Sequence, residues 1–198
     1  MYIEAIILGV IIGMARNGRI SNFFEVRFKG WGLSVLAFLL FLVPYGVKAF
    51  GIGFESVELF PFAAMVVIAV IALLNFEKTG MKIILLGLGL NLLIMGLNGF
   101  QMPIDTLKMT DLGFHSFVES LSSGEVVNYT SLEGAHTLST YLGKVIELPK
   151  AYPLAKVLSV GDLLISLGIA ILIQYEMLLS SLKSRGSMVQ FSYNSKIR

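Results

Sequence analysis

The sequence predicts an all-α integral membrane protein with five transmembrane helices, and three observations predict it. Hydrophobic residues fill 56% of the 198 positions and charged residues only 14%, with strongly positive mean hydropathy, which is well outside the soluble range. Five apolar stretches, at about residues 2–15, 33–50, 57–75, 83–97 and 157–179, take up most of the length. They leave no room for a separate soluble domain, so residues 1–198 read as a single membrane domain. The Lys and Arg residues between the stretches alternate between rich and poor connectors, ten on one side against five on the other. Retained positive charge marks the cytoplasmic face. The N-terminus is therefore expected outside, the tail 180–198 in the cytoplasm and the long connector 98–156 on the extracytoplasmic face of a bacterial cell membrane, in a multi-pass arrangement.

Crossing a hydrocarbon core of about 30 Å takes about 20 apolar residues, which the second, third and fifth stretches approach with modest tilt. Residues 2–15 reach only about 21 Å, so the first helix must thin the bilayer, extend into polar neighbours or re-enter. No Lys or Arg precedes it and no small-x-small site precedes Arg16, which reads as an uncleaved anchor rather than a signal peptide. Its Gly9 and Gly13 form a GxxxG pair that permits close approach by another helix. Residues 16–32 follow as a basic connector whose Phe23, Phe24, Phe28 and Trp31 suit the inner interface beside anionic headgroups. Pro44 is expected to end or kink the second helix near its outer end. The fourth stretch closes on Asn98-Gly99-Phe100-Gln101-Met102-Pro103, where Gly can take positive φ and Pro stops a helix. In the long connector, Phe114, Phe117, Val118 and Leu121 share one helical face, and Thr130 with Glu133 has capping-box spacing around Leu132, Ala135, Leu138, Leu142 and Ile146. Two short amphipathic helices lying on the outer surface are expected. The link LPKAYP at 148–153 leads into the fifth stretch.

The fifth stretch carries the most informative pattern. Ser159, Asp162, Ser166, Ala170 and Gln174 recur at spacings of three or four, and polar groups are costly against lipid, so this stripe should face protein, a cavity or another subunit. The fourth stretch offers a matching face in Gly87, Asn91 and Asn98. Packing of the two faces, with Asn91 bonded to a serine or to backbone, is one reading; a polar cavity between them is another. Ser159-Val160-Gly161-Asp162 has the form of an S-x-x-D capping box, so Asp162 is a helix cap, a proton, cation or substrate contact, or both.

The rest of the inventory mostly excludes. A net charge of +2 without a dense basic run rules out nucleic acid as a partner. The absence of cysteine removes disulfides, thiolate metal sites and cysteine nucleophiles. His115 and His136 are the two histidines; zinc would need them joined by Glu133, Asp105 or Asp162 in a tetrahedral set, and no metal or cofactor is expected. Glu133, His136 and Thr137 form a minor outer-connector cluster, and an enzyme would need Glu133 and His136 to meet Asp162. No catalytic residue is assigned.

Together these segments resemble a family of small bacterial multi-spanning membrane proteins of unknown function. The resemblance rests on Asn98-Gly99 with Met102-Pro103, on Ser159-Val160-Gly161-Asp162, on the basic segment after the first helix, and on His136-Thr137 and Leu142-Gly143. Where the family pattern leads one to expect Asp after Leu142-Gly143, this chain has Lys144, which argues against an essential carboxylate there. The resemblance implies no activity. Two functions follow from the residues: a non-enzymatic accessory or structural subunit of a larger membrane complex, held by lipid and by other subunits or copies of itself, or a small transporter, permease or lipid-handling protein with a polar cavity between the fourth and fifth helices.

Overall fold

The computed structural model describes the backbone of residues 1–51, 53, 55–148 and 156–194, and side chains as far as residue 178. Most of the link 148–153 and the cations of the tail fall outside these limits.

Nine helices are present among the described residues: α1 (Tyr2–Ala15), α2 (Ile20–Phe24), α3 (Leu33–Ala49), α4 (Leu59–Leu74), α5 (Met81–Gly96), α6 (Thr106–Asp111), α7 (His115–Ser122), α8 (Ser139–Leu142) and α9 (Val160–Asn194). Within α9, Val160–Leu178 is long and apolar enough to cross a membrane, and α1, α3, α4 and α5 are shorter apolar helices. The helix α3 continues through Pro44 to Ala49 rather than ending there.

The chain is mostly helical and not all-α, because four short strands join the helices among the described residues. Strand β1 (Met102–Ile104) pairs in parallel with β2 (Tyr129–Ser131), and β3 (Ile146–Leu148) pairs antiparallel with β4 (Lys156–Leu158). The second amphipathic helix expected around 130–146 is replaced by β2, a turn and the single turn of α8. Gly134, at φ +81, breaks the helical run, and Tyr129-Thr130-Ser131 is a β-prone triplet whose edge β1 completes. The first amphipathic helix forms as α7, but its Phe117, Val118 and Leu121 pack inward on a small core of Ile104, Met109, Leu112 and Val157. Residues 98–148 and 156–158 thus build a cap with its own core.

Beneath the cap, α9 is the central helix, flanked by α1 and α5. Close approach is made by missing side chains. A Cβ at Gly87 would lie 2.6 Å from the Gly161 carbonyl, and one at Gly80 would lie 2.5 Å from that of Gly168, so α5 runs antiparallel to α9. On the other flank, a Cβ at Gly9 would meet the Ala170 carbonyl at 2.8 Å and one at Gly13 would meet Met177 Sδ at 2.7 Å, so α1 runs parallel to α9. The GxxxG face is therefore taken by a helix of the same chain and is not left for a partner subunit. Helices α3 and α4 form a hairpin that packs on α5 through α4. Their outward faces, with Leu39 and Leu73 more than half exposed, and that of α1, with Ile3, Ile7 and Ile11, are apolar and open.

Candidate functional site

The polar stripe of α9 begins where the helix begins. Ser159 Oγ accepts the Asp162 amide at 2.9 Å while Asp162 Oδ2 accepts the Ser159 amide at 3.2 Å, the reciprocal pairing of a capping box. Ser159 Oγ also donates to Asn91 Oδ1 at 2.8 Å. Gly161 admits Asn91, since any Cβ there would collide with the Asn91 side chain.

Capping uses only part of Asp162. Its Oδ1 also accepts the Tyr2 hydroxyl at 2.8 Å and the Asn91 amide at 3.2 Å, and its Oδ2 takes the Lys144 ammonium at 2.8 Å. The carboxylate therefore has four donors drawn from α1, α5, the cap and its own helix start. Charge and hydrogen-bonding capacity are both matched, which a buried ion pair requires.

The cap delivers Lys144. The Lys144 amide donates to the Pro103 carbonyl at 2.8 Å and its carbonyl accepts from the Asp105 amide at 3.0 Å, so residue 144 extends the β1·β2 sheet as a further parallel bridge. Gly143 passes so close that a Cβ would lie 2.5 Å from the Ser139 carbonyl. The turn that starts β1 is fixed by Gly99 at φ +62 and Phe100 at φ +67, with Phe100 packed 5.0 Å from Phe62 of α4. Asn98 ties it down by donating to the Ile94 carbonyl at 2.7 Å and Ser139 Oγ at 3.0 Å while accepting the His136 amide at 2.8 Å. Met102 and Pro103 are buried. Three of the short segments that carried the family resemblance, 98–103, 136–143 and 159–162, thus serve one geometry, the placing of Lys144 on Asp162. Burial opposes the charge on Lys144, but the Tyr129 phenol and the Asp162 carboxylate outweigh it and hold the ammonium's pKa above the ordinary lysine range; its Nζ lies 5.6 Å from the Tyr129 ring centre.

The other sequence candidates lie apart from this cluster. Glu133, His136 and Thr137 line an outer depression beside Asn98, and neither Glu133 nor His136 bonds to Asp162. His136 instead supports Asn98 and accepts the Leu138 amide at Nδ1. No group of three or more His, Cys, Asp or Glu able to hold a metal occurs among the described residues. Ser166 turns toward α1, where it is buried and its hydroxyl lacks a partner. Sequence reasoning missed Tyr2 and undervalued Lys144. It also passed over a second pair, Lys78 Nζ to Glu176 Oε1 at 2.8 Å, that ties the turn before α5 to the middle of α9. The signal for Lys144 was the very departure from pattern at that position.

Beside the cluster lies a cavity of about 480 Å³. It does not open between α5 and α9, where a polar cavity was expected and where the glycine pairs close the interface. It opens on the other side of Asn91, walled by Phe38, Phe41, Ala64, Met65, Ile68 and Met95 of α3, α4 and α5, and ended by Tyr2, Asn91, Lys144 and Asp162.

Fold and site define a mostly helical protein with apolar outer faces, in which a small capping sheet holds a cation on a buried helix-start carboxylate beside an apolar cavity. The chain belongs to DUF5317, a family of unknown function, whose profile matches residues 25–174. That range includes Asn91, Lys144 and Asp162 and excludes Tyr2, Gly9 and Gly13. No curated protein and no solved structure matches the chain.

Proposed function

We propose that this protein crosses a bacterial cell membrane five times, with its N-terminus outside and its tail in the cytoplasm, and that it holds a lipid-like amphiphile. The apolar part lies in the cavity of α3, α4 and α5, and the polar end is met by Tyr2, Asn91, Lys144 and Asp162. The observation that carries the reading is the composition of that cavity, apolar along its walls and polar at one end, with a volume in the range of small-molecule sites. From Phe41 to Ser34 its α3 wall extends about 10 Å, enough for part of an acyl chain. The topology is supported by the Lys and Arg distribution, the parallel course of α1 and α9, and the exposed apolar faces, which have no aqueous explanation. No chemistry on the ligand is implied; the site binds and orients.

Native mass spectrometry of the protein extracted in mild detergent from its own host tests this. One small amphiphile should remain bound per chain, and Ala64→Trp or Ser34→Trp, which fill the cavity from two different helices, should remove it while leaving a monodisperse helical protein. A stoichiometric second protein with no bound amphiphile would overturn the reading and favour an accessory subunit of a membrane complex.

A further inference from the structure

The Lys144–Asp162 cluster has a second cavity on its far side. This chamber, of about 450 Å³, lies under the cap among Ile104, Met109, Phe114, Phe117 and Val157, and it shares Tyr2, Tyr129, Lys144 and Asp162 with the first cavity. The same four side chains therefore stand between an apolar space walled by the long helices and an apolar space walled by the cap. A cluster serving only to cap α9 would need neither.

We propose that the cluster is a partition on a path, and that the protein passes an amphiphile with an anionic headgroup between the bilayer-side cavity and the chamber under the cap. This rests on the reading of the first cavity as an amphiphile site. The bonding pattern is unequal in a way that suits a gate. If the Lys144 side chain swings aside, Asp162 keeps the Tyr2 hydroxyl, the Asn91 amide and the Ser159 amide, so both oxygens stay hydrogen-bonded and only the countercharge is given up. Lys144 meanwhile keeps its backbone place in the sheet, so only a flexible side chain needs to move. What can draw the ammonium from one carboxylate is another anion, and an anionic headgroup arriving from the cavity supplies it. Lys156 also lines the cap chamber, with its Nζ 2.5 Å from Glu4 Oε1, so a second cation bordered by an acid lies further along. Phe114 and Phe117 offer the apolar tail a wall beyond the partition, as Phe38 and Phe41 do before it.

The test uses the full-length protein in phosphatidylcholine vesicles carrying a short-chain fluorescent phosphatidylglycerol, with transfer to acceptor vesicles as the readout. The protein should speed transfer of this probe over a phosphatidylcholine probe of equal chain length. Phe117→Trp and, at the partly exposed edge of the chamber, Phe114→Trp should lower that rate at least tenfold while bound amphiphile is retained by native mass. Lys144→Met should abolish the preference for the anionic probe. Bound amphiphile with no accelerated transfer, or transfer at the wild-type rate in both Trp variants, overturns the partition and leaves the binding reading standing. Absence of any bound amphiphile removes both.

Discussion

Helix α5 has two faces with opposite designs. Toward α9 it is closed: Gly80 and Gly87 set its backbone against Gly168 and Gly161, so that a single added carbon would lie within 2.6 Å of a carbonyl oxygen. Toward α3 and α4 it is open, with Asn91 and Met95 on a cavity of about 480 Å³. Asn91 stands at the boundary, bonded to Ser159 on the closed side and lining the cavity on the open side. Polarity at the closed face is consumed by the helix start and its neighbour. At the boundary, Asp162 and Lys144 border two spaces as well as each other. The same residue types thus have different meanings according to whether glycine or larger side chains face them.

Filling the closed face should have the largest effect. Gly87→Leu must force the backbones of α5 and α9 apart, and overpacking of this kind costs at least about 3 kcal/mol; loss of the monodisperse protein in mild detergent would register it. Next comes the boundary. Lys144→Met and Asp162→Asn each leave a buried partner unsatisfied, a loss of about 3 kcal/mol. The double variant should cost about 2 kcal/mol less than the sum, because neither charge is then left alone, as a thermal-melt cycle would read. Additive losses would mean that the pair is not coupled. Asn98→Ala removes three hydrogen bonds, one to the Ile94 carbonyl of α5 and two to Ser139 and His136 of the cap, and should cost about 2 kcal/mol, with protease cleavage in 98–148 rising while the α5·α9 contact persists. On the pH axis, a lysine whose pKa is raised in the folded state contributes stability that is whole below the ordinary lysine value and lost as pH rises through the raised one. The wild-type melt should therefore lose this contribution only in the alkaline range above ordinary lysine titration, and Lys144→Met should lack that loss. Ser166→Ala, whose hydroxyl has no partner, should shift the melt by less than about 0.5 kcal/mol in either direction.

The sequence foretold the closed face better than the open one, for a physical reason. Periodicity of small and polar residues reports which side of a helix meets another, so Ser159 and Asp162 with the matching Asn91 were visible as facing residues, whereas Ser166 and Ala170, further along the same stripe, face α1 instead. Capping chemistry is local, so Ser159-Val160-Gly161-Asp162 could be read as a helix start from four residues. The cavity is not local. It needs the hairpin of α3 and α4 to pack on α5 with Ala37 and Ala64 where larger residues would fill it, and no spacing along one helix encodes that. Tyr2 reaches Asp162 across 160 positions of sequence, and nothing near either residue announces the other. The 130–146 segment misled because its apolar residues fit a helical period, while β pairing with Met102–Ile104, a partner distant in sequence, and the positive φ of Gly134 decided its form. Lys144 looked like a lost carboxylate until the sheet placed it on a carboxylate elsewhere.

The most direct measurement is a cryo-electron microscopy structure of the protein in lipid nanodiscs made from its own host's lipids, with the cavity beside Asn91 as the region of interest. An amphiphile in place would give an elongated density along Phe38, Phe41 and Met65 whose polar end lies within hydrogen-bonding reach of Lys144. A cavity closed by its own side chains, with Lys144 and Asp162 sealed together and no density beside them, would contradict the reading of the cavity as an amphiphile site.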